Sequence, residues 1–235
     1  ISNKNIYVIG FGKAGSTMAE MVEKIVGEDY INDGLVISPQ INSNINSIKI
    51  IQSSHPFLSD MSFSAGKKMI KFVENIPDGS IVLCLVSGGG SALLASPEYG
   101  IGYSEKIKFF EWLLFQGLNE IDQNIVRKAI SSIKGGKLAK RLKNKILVNL
   151  VIMDNPYDYK ALASGPTFIP NDKKTAKHIL IELGIYQSLP SRIKKVINLQ
   201  SSEKFDDSDL TIQDVVIGGP EVPKISLYNN LSEIC

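Results

Sequence analysis

Two rhythms of apolar residues alternate along this chain. Short, nearly unbroken apolar runs occur at residues 5–10 (NIYVIG), 34–38 (GLVIS), 47–56 (SIKIIQSSHP), 80–87 (SIVLCLVS), 145–153 (KILVNLVIM) and 214–219 (DVVIGG). Runs of that length, rich in Val and Ile and closed by Gly, Ser or Pro, predict strands buried on both faces. Between them apolar residues recur every three or four positions. Met18, Met21, Val22 and Ile25 do so within 14–26, and Phe63, Met69, Ile70 and Val73 within 62–74. That period predicts amphipathic helices, and further helices are expected near 104–116, 121–133, 137–142, 173–183 and 190–199. The alternation predicts an α/β fold: a Rossmann-like, mostly parallel sheet with helices on both faces, forming one domain over residues 1–235. In such a sheet ligands sit beyond the carboxyl ends of the strands. Glycine clusters follow three strands at that end: Gly10 to Gly15, Gly88 to Gly90, and Gly218–Gly219.

Composition narrows the class. Of 235 residues, 43% are hydrophobic and 21% charged, a globular balance that excludes a disordered chain or a coiled coil. Twenty-six basic against 24 acidic residues leave +2, which argues against wholesale binding to nucleic acid. No apolar run approaches the roughly 18 residues of a membrane-spanning helix, and no signal peptide opens the sequence. Cys84 and Cys235 cannot build a disulfide framework, and no Cys/His spacing suggests zinc. A soluble cytoplasmic protein is expected, with neither membrane nor nucleic acid as partner. The chain opens on Ile1 and enters a strand almost at once, so part of the native N-terminus is expected upstream.

GFGKAG (Gly10, Gly12, Gly15) fits the GxGxxG dinucleotide pattern in its strand–turn–helix setting. An NAD site also wants an acidic residue ending the next strand, but GLVIS ends in Ser38-Pro39. Nor is it a P-loop, because Ser16 stands where the phosphate-binding lysine belongs. The motif does offer Lys13, a cation at the mouth of a helix, suited to a carboxylate or a phosphate. A tight βα turn with a surface lysine is the plain alternative. In SGGGSALL, Gly88, Gly89 and Gly90 let backbone N–H groups face an anion without Cβ hindrance, and Ser87 and Ser91 add hydroxyl donors. Residues 124–137 place Asn124, Arg127 or Lys128, Ser131 and Lys134 on one helical face, with Ile121, Ile125, Val126, Ile130 and Ile133 lining the buried side. Arg127 to Lys145 holds eight basic residues and no acidic one. This is either a solvated face or an anion site, and no aromatic interleaving supports nucleic acid. Gly135 and Gly136 end this helix, and the next could start there with an anion-accepting N-terminus. MDNPYD brings Asp154 and Asp158 to the ligand edge of the sheet, to hold Mg²⁺, accept a hydroxyl proton or simply form a turn. His55 before Pro56 reads equally as a loop residue or a base, and the role of ALASGPT (161–167) is not legible from spacing.

Taken together, GFGKAG, His55-Pro56, LVSGGGSALL, NxVRKxxSxxKGGKLA and ASGPT resemble, in order and spacing, the type II glycerate 2-kinases of the MOFRL-containing group. The resemblance runs from about Ile6 to Thr167, and more loosely to Gly219. It implies ATP-dependent, Mg²⁺-assisted phosphorylation of D-glycerate to 2-phosphoglycerate, in a cleft between a large Rossmann-like domain and a smaller second one. Lys13 corresponds to the lysine thought to contact glycerate, and Ser87 to Ser91 to the phosphate loop. Asn124, Arg127, Lys128 and Lys134 correspond to the basic helix facing the cleft, and Asp154 to the aspartate of an SDVxGD segment. On this basis Lys13, Ser87, Gly88, Gly89 and Arg127 are candidates for the glycerate side. Gly89, Gly90, Ser91, Asn124, Lys128, Lys134 and Gly135 are candidates for ATP, with Asp154 for metal and, beside Lys13, for catalysis. A homo-oligomer is compatible with the resemblance. Departures are Ala129 where the family has histidine, and Met153 and Tyr157 in the aspartate segment. No MOFRL-type domain is recognisable in this chain, so an arginine and a carboxylate of that domain have no counterpart here. A fragment of a longer protein or a divergent relative inactive alone is expected. The alternatives are an NAD(P)-dependent hydroxypyruvate reductase and a non-catalytic anion- or nucleotide-binding module.

Overall fold

A computed structural model describes residues 5–41, 44–153, 158–202 and 205–219. The apolar runs become β1 (Ile6–Phe11), β2 (Ile31–Ser38), β3 (Lys49–Gln52), β4 (Ile81–Ser87), β5 (Ile146–Ile152) and β6 (Thr211–Gly218). They form one six-stranded sheet in the order β3-β2-β1-β4-β5-β6, and every pairing is parallel. The α/β, Rossmann-like reading is borne out. The strand order reverses between β1 and β4, where a doubly wound sheet opens a crevice.

Eight helices accompany the described strands: α1 (Gly15–Val26), α2 (Asp60–Glu74), α3 (Gly90–Leu93), α4 (Tyr103–Leu114), α5 (Glu120–Ala129), α6 (Lys137–Lys140), α7 (Ala176–Glu182) and α8 (Ser191–Ser202). The central strands are continuously apolar because both faces are covered. On one face, Ala65, Met69 and Val73 of α2, with Leu93 and Leu138, pack on Ile9, Phe11, Val82, Val86 and Val151. On the other, Met18, Ala19 and Val22 of α1 pack on Val8, Val36 and Leu85. Helices α4, α5, α7 and α8 close a separate core around Phe109, Leu113, Val126, Leu180 and Ile197. Each such side chain, fully buried, contributes roughly 1.5–3 kcal/mol.

Three expectations need correction. Met21 and Ile25 are 48% and 77% exposed, so α1 buries a narrower stripe than its apolar pattern suggests. Ile121 is 73% exposed rather than buried. Most consequentially, α5 stops at Ala129, so Ser131 and Lys134 do not continue its face. Tertiary hydrogen bonds end it. Glu98 N–H donates to Ile130 O and Ser132 N–H to Ser96 O, both at 3.2 Å, and Ser131 forms a bridge with Pro97. The buried Lys106 secures the junction, its Nζ donating to Ser96 O at 2.7 Å and Ile130 O at 3.3 Å. Gly135 and Gly136, at φ +63° and +76°, then turn the chain into α6.

Candidate functional site

Adjacency of β1 and β4 brings the first two glycine loops together. Lys13 N–H donates to Gly88 O at 2.8 Å, and Ala14 N–H to Ser87 Oγ at 3.1 Å. The buried Ser87 hydroxyl thus joins the two loops, while the Lys13 side chain is exposed. A Cβ placed on Gly89 would lie 2.9 Å from both Lys13 Cγ and His55 Nε2. Glycine is required there, at φ +86°, and Lys13 and His55 flank it. His55 arrives from the segment after β3, held by Ser53 Oγ donating to Leu93 O at 2.7 Å.

A second contact seats the ASGP segment on the KGG turn. Ala163, Ser164 and Gly165 all have positive φ, at 54°, 60° and 63°. Non-glycine residues in that region cost of order 1–3 kcal/mol each. Four N–H groups of the neighbouring turn hold them there: Gly135 donates to Ser164 O (3.0 Å), Gly136 to Gly165 O (2.7 Å), and Leu138 and Ala139 to Pro166 O (3.1 and 3.2 Å). The expected anion-accepting start of α6 is therefore filled by these carbonyls. From below, Tyr159 Oη donates to Asp214 Oδ2 at 3.3 Å, and Asn149 Nδ2 to Thr167 O at 3.3 Å and Asp214 Oδ1 at 2.7 Å. These bonds tie both ends of the segment to β5 and β6. The neighbouring Cys84 thiol is pushed up to about 12 by burial, which leaves it unreactive.

Where these loops meet, four polar side chains join. Ser91 Oγ and Ser164 Oγ lie 2.8 Å apart, and Ser164 Oγ donates to Asn124 Oδ1 at 3.2 Å. Lys134 Nζ reaches Ser91 Oγ at 2.5 Å, Ser91 O at 3.2 Å and Ala163 O at 3.3 Å. Lys134 is 1% exposed. Burial, then the charge of Arg127, brings its amine down to about 7. Arg127 hydrogen-bonds Gln123 at 3.1 Å and lies 5.5 Å over the Phe110 ring, with its buried Nε unpartnered. Lys128 departs from the group: it pairs with Asp172 at 2.8 and 3.0 Å in a neighbouring cavity that it lines with Gly135, Lys140 and Phe205. Asp154 lies outside the described residues. Among the described residues no three His, Cys, Asp or Glu side chains group to hold a metal.

A family model described as a domain of unknown function, DUF4147, matches residues 1–198. The chain belongs to this family. Glycerate 2-kinase from Pyrococcus horikoshii is 34% identical over 194 residues, covering 80% of this chain and 43% of that protein. A protein of Agrobacterium vitis named as a hydroxypyruvate reductase is 39% identical over 167 residues, 70% of this chain and 43% of its own length. The crystal structure of the PH0495 protein from P. horikoshii OT3 superposes with a TM-score of 0.86 at 29% identity, covering all of this chain and 54% of that one. The chain thus spans about half the length of the relatives it matches.

Within this DUF4147 domain, the structure adds Ser164, Ala163 and His55 to the candidate group. His55-Pro56 and ASGPT were visible as motifs, but nothing local assigned them partners. The buried lysine also sets a pH dependence of stability. The native amine at about 7 binds its proton less tightly than an unfolded lysine at 10.5. The unfolded chain therefore carries more protons between those values, and stability rises with pH across that window. Lys106, held well below its ordinary value by burial and by the charges of Lys134 and Lys137, acts in the same direction. Above pH 9 Cys84 opposes them, because it ionises only in the unfolded chain. Urea denaturation between pH 7 and 8.5 is expected to show a rising stability, and Lys134→Met to lose part of that slope. An identical slope in the variant would contradict the buried, depressed amine.

Proposed function

We propose that the full-length protein is a glycerate 2-kinase, transferring the γ-phosphoryl group of ATP to the 2-hydroxyl of D-glycerate. The observation that carries this reading is the exposed Lys13 held beside the Gly88–Ser91 loop at the strand-order reversal. The family and the P. horikoshii relative support it. Phosphoryl transfer asks chiefly for charge neutralisation and positioning. Lys13 orients the glycerate carboxylate, with Arg127 adding positive charge and Ser87 and Gly88 fixing the loop that carries the lysine. Gly89, Gly90 and Ser91 cradle the phosphates. Asn124, Lys134 and Gly135 support that cradle from behind, while Lys128, paired with Asp172, lies in the neighbouring cavity.

Mg²⁺ takes one or two carboxylates plus phosphate oxygens. Asp154 would hold the ion, which would neutralise phosphate charge, whereas Asp158 of the same segment accepts from Lys160 N–H at 2.9 Å and caps the following turn. A MOFRL-type second domain completes the cleft in this reading. No described helix is long and apolar enough to cross a membrane, in keeping with a cytoplasmic enzyme. The reductase reading has a named relative, but β2 ends at Ser38, followed by Pro39, without an acidic partner for a ribose.

Full-length protein incubated with ATP, Mg²⁺ and D-glycerate is expected to produce 2-phosphoglycerate, read by phosphorus NMR. NADH consumption with hydroxypyruvate and no phosphorylation would replace the kinase with the reductase. Ligand-induced thermal stabilisation with neither turnover would leave a binding module.

A further inference from the structure

We infer that Ser91 and Lys134 form the proton relay for the attacking hydroxyl, Ser91 Oγ taking its proton while passing its own to Lys134 Nζ. The inference rests on the kinase reading and names a base for its attacking hydroxyl.

The surroundings of Lys134 Nζ are satisfied in both protonation states. As an ammonium, it donates to Ser91 O, Ala163 O and Ser91 Oγ. Ser91 then donates to Ser164 Oγ, and Ser164 to Asn124 Oδ1. As a neutral amine, it keeps both carbonyls with its two protons, and its lone pair accepts the Ser91 proton across 2.5 Å. The exchange moves a proton and leaves every heavy atom in place. Only Ser91 of the pair keeps partial exposure, so it is the member a ligand can touch.

The charged groups nearest Lys134 favour the neutral amine. Arg127 faces it from α5 as a cation and disfavours a second charge there. Lys106 of α4, itself held well below its ordinary value by burial, is disfavoured as a cation by a charged Lys134. Lys137 is neutralised by Glu98 at 2.8 Å across the junction. Among the described residues no carboxylate hydrogen-bonds or pairs with Lys134. Its value of about 7 makes it a competent acceptor at neutral pH.

In the reaction, the hydroxyl O–H bond of glycerate breaks and its oxygen bonds to the γ-phosphorus. The bond from that phosphorus to the β,γ-bridging oxygen breaks, and ADP leaves with the electron pair. One proton enters at Ser91 and one arrives on Lys134, which later returns it to solvent by the same path.

The test is kcat/KM against pH from 5.5 to 9 for the full-length protein with ATP, Mg²⁺ and D-glycerate. The wild type is expected to rise about tenfold per pH unit on the acid side and level near pH 7. Ser91→Ala is expected to lose about 10²-fold or more in kcat, whereas Ser91→Thr, which keeps the hydroxyl, retains the acid limb. Lys134→Arg keeps a donor to the carbonyls but cannot release its proton. It is expected to lose the limb and kcat with little change in KM for ATP, and melting temperatures identify any variant that fails to fold. The Ser91→Ala and Ser91→Thr pair decides the matter if Lys134→Arg does not fold. Wild-type turnover with the same limb in Ser91→Ala would overturn the relay and leave the kinase standing. Phosphate trapped on Ser91 by ATP alone, seen as a mass increase, would also overturn it, because Ser91 would then be the nucleophile. No turnover by the wild type at any pH would remove the kinase reading and the relay together.

Discussion

Lys13→Ala is expected to lower kcat/KM for glycerate phosphorylation by about 10²-fold or more while leaving the melting temperature close to wild type. A hydrogen bond to a charged group contributes about 1.5–3 kcal/mol, and a donor aimed at charge developing in a transition state is worth about 10²–10³-fold. The Lys13 side chain is exposed, whereas its backbone N–H is tied to Gly88 O at 2.8 Å. Removing the side chain therefore takes away the cation and leaves the loop seated. Lys13→Arg restores charge but presents a wider planar group beside Gly89 and His55, so partial activity is expected. Steady-state kinetics and a thermal melt on the same samples check both statements. Wild-type kinetics in Lys13→Ala would dissociate this lysine from the chemistry.

Gly12→Ala is expected to produce the largest loss of stability among single-methyl additions near the site. Gly12 has φ +138°, and a Cβ there would lie 2.1 Å from Ser87 Oγ and 2.5 Å from Ser87 O. Ser87 cannot withdraw, because it ends β4 in register with β5 and its hydroxyl accepts from Ala14 N–H. Backbone strain of about 1–3 kcal/mol adds to overpacking of about 1–3 kcal/mol. The total, about 2–6 kcal/mol, is a large share of the roughly 5–15 kcal/mol that holds a typical domain. Gly79→Ala is the control: its φ is +78°, but nothing lies within 4 Å of the added carbon. It carries the conformational strain without the clash. Urea midpoints are expected to fall much further for Gly12→Ala than for Gly79→Ala, and equal shifts would deny the close approach of the two loops.

Both predictions draw on features of different legibility. The glycine spacing in GFGKAG and SGGGS was plain in the sequence, and so was Lys13 at the mouth of a helix. A βα turn at the carboxyl end of a buried strand needs glycine for local reasons, so the signal is local. That the two loops touch depends on β1 and β4 being neighbours in the sheet, which no local pattern states. The basic stretch after Asn124 misled for a related reason. Its apolar spacing predicts a helix to Ile133, yet hydrogen bonds from residues 96–98 end α5 at Ala129. Local periodicity reports which face is buried, and it carries no term for a distant strand-like partner.

By itself, the sequence determined the alternation of buried strands and amphipathic helices, the parallel sheet they imply, and the glycine loops at its ligand edge. Those follow from burial on both faces of each strand and from the backbone freedom of glycine. Only the tertiary structure decided which polar groups meet. Ser91 and Ser164 are 73 residues apart, and Lys134 is 43 from Ser91. Strand order, the turn at Gly135-Gly136 and the left-handed ASG segment bring them within hydrogen-bonding distance. Lys134 shows the division most sharply: in the sequence it is one of eight cations in a basic run, and burial beside two carbonyls and a serine hydroxyl changes its chemistry. Desolvation by surrounding elements is what lowers its affinity for a proton, and those elements are assembled only in the fold.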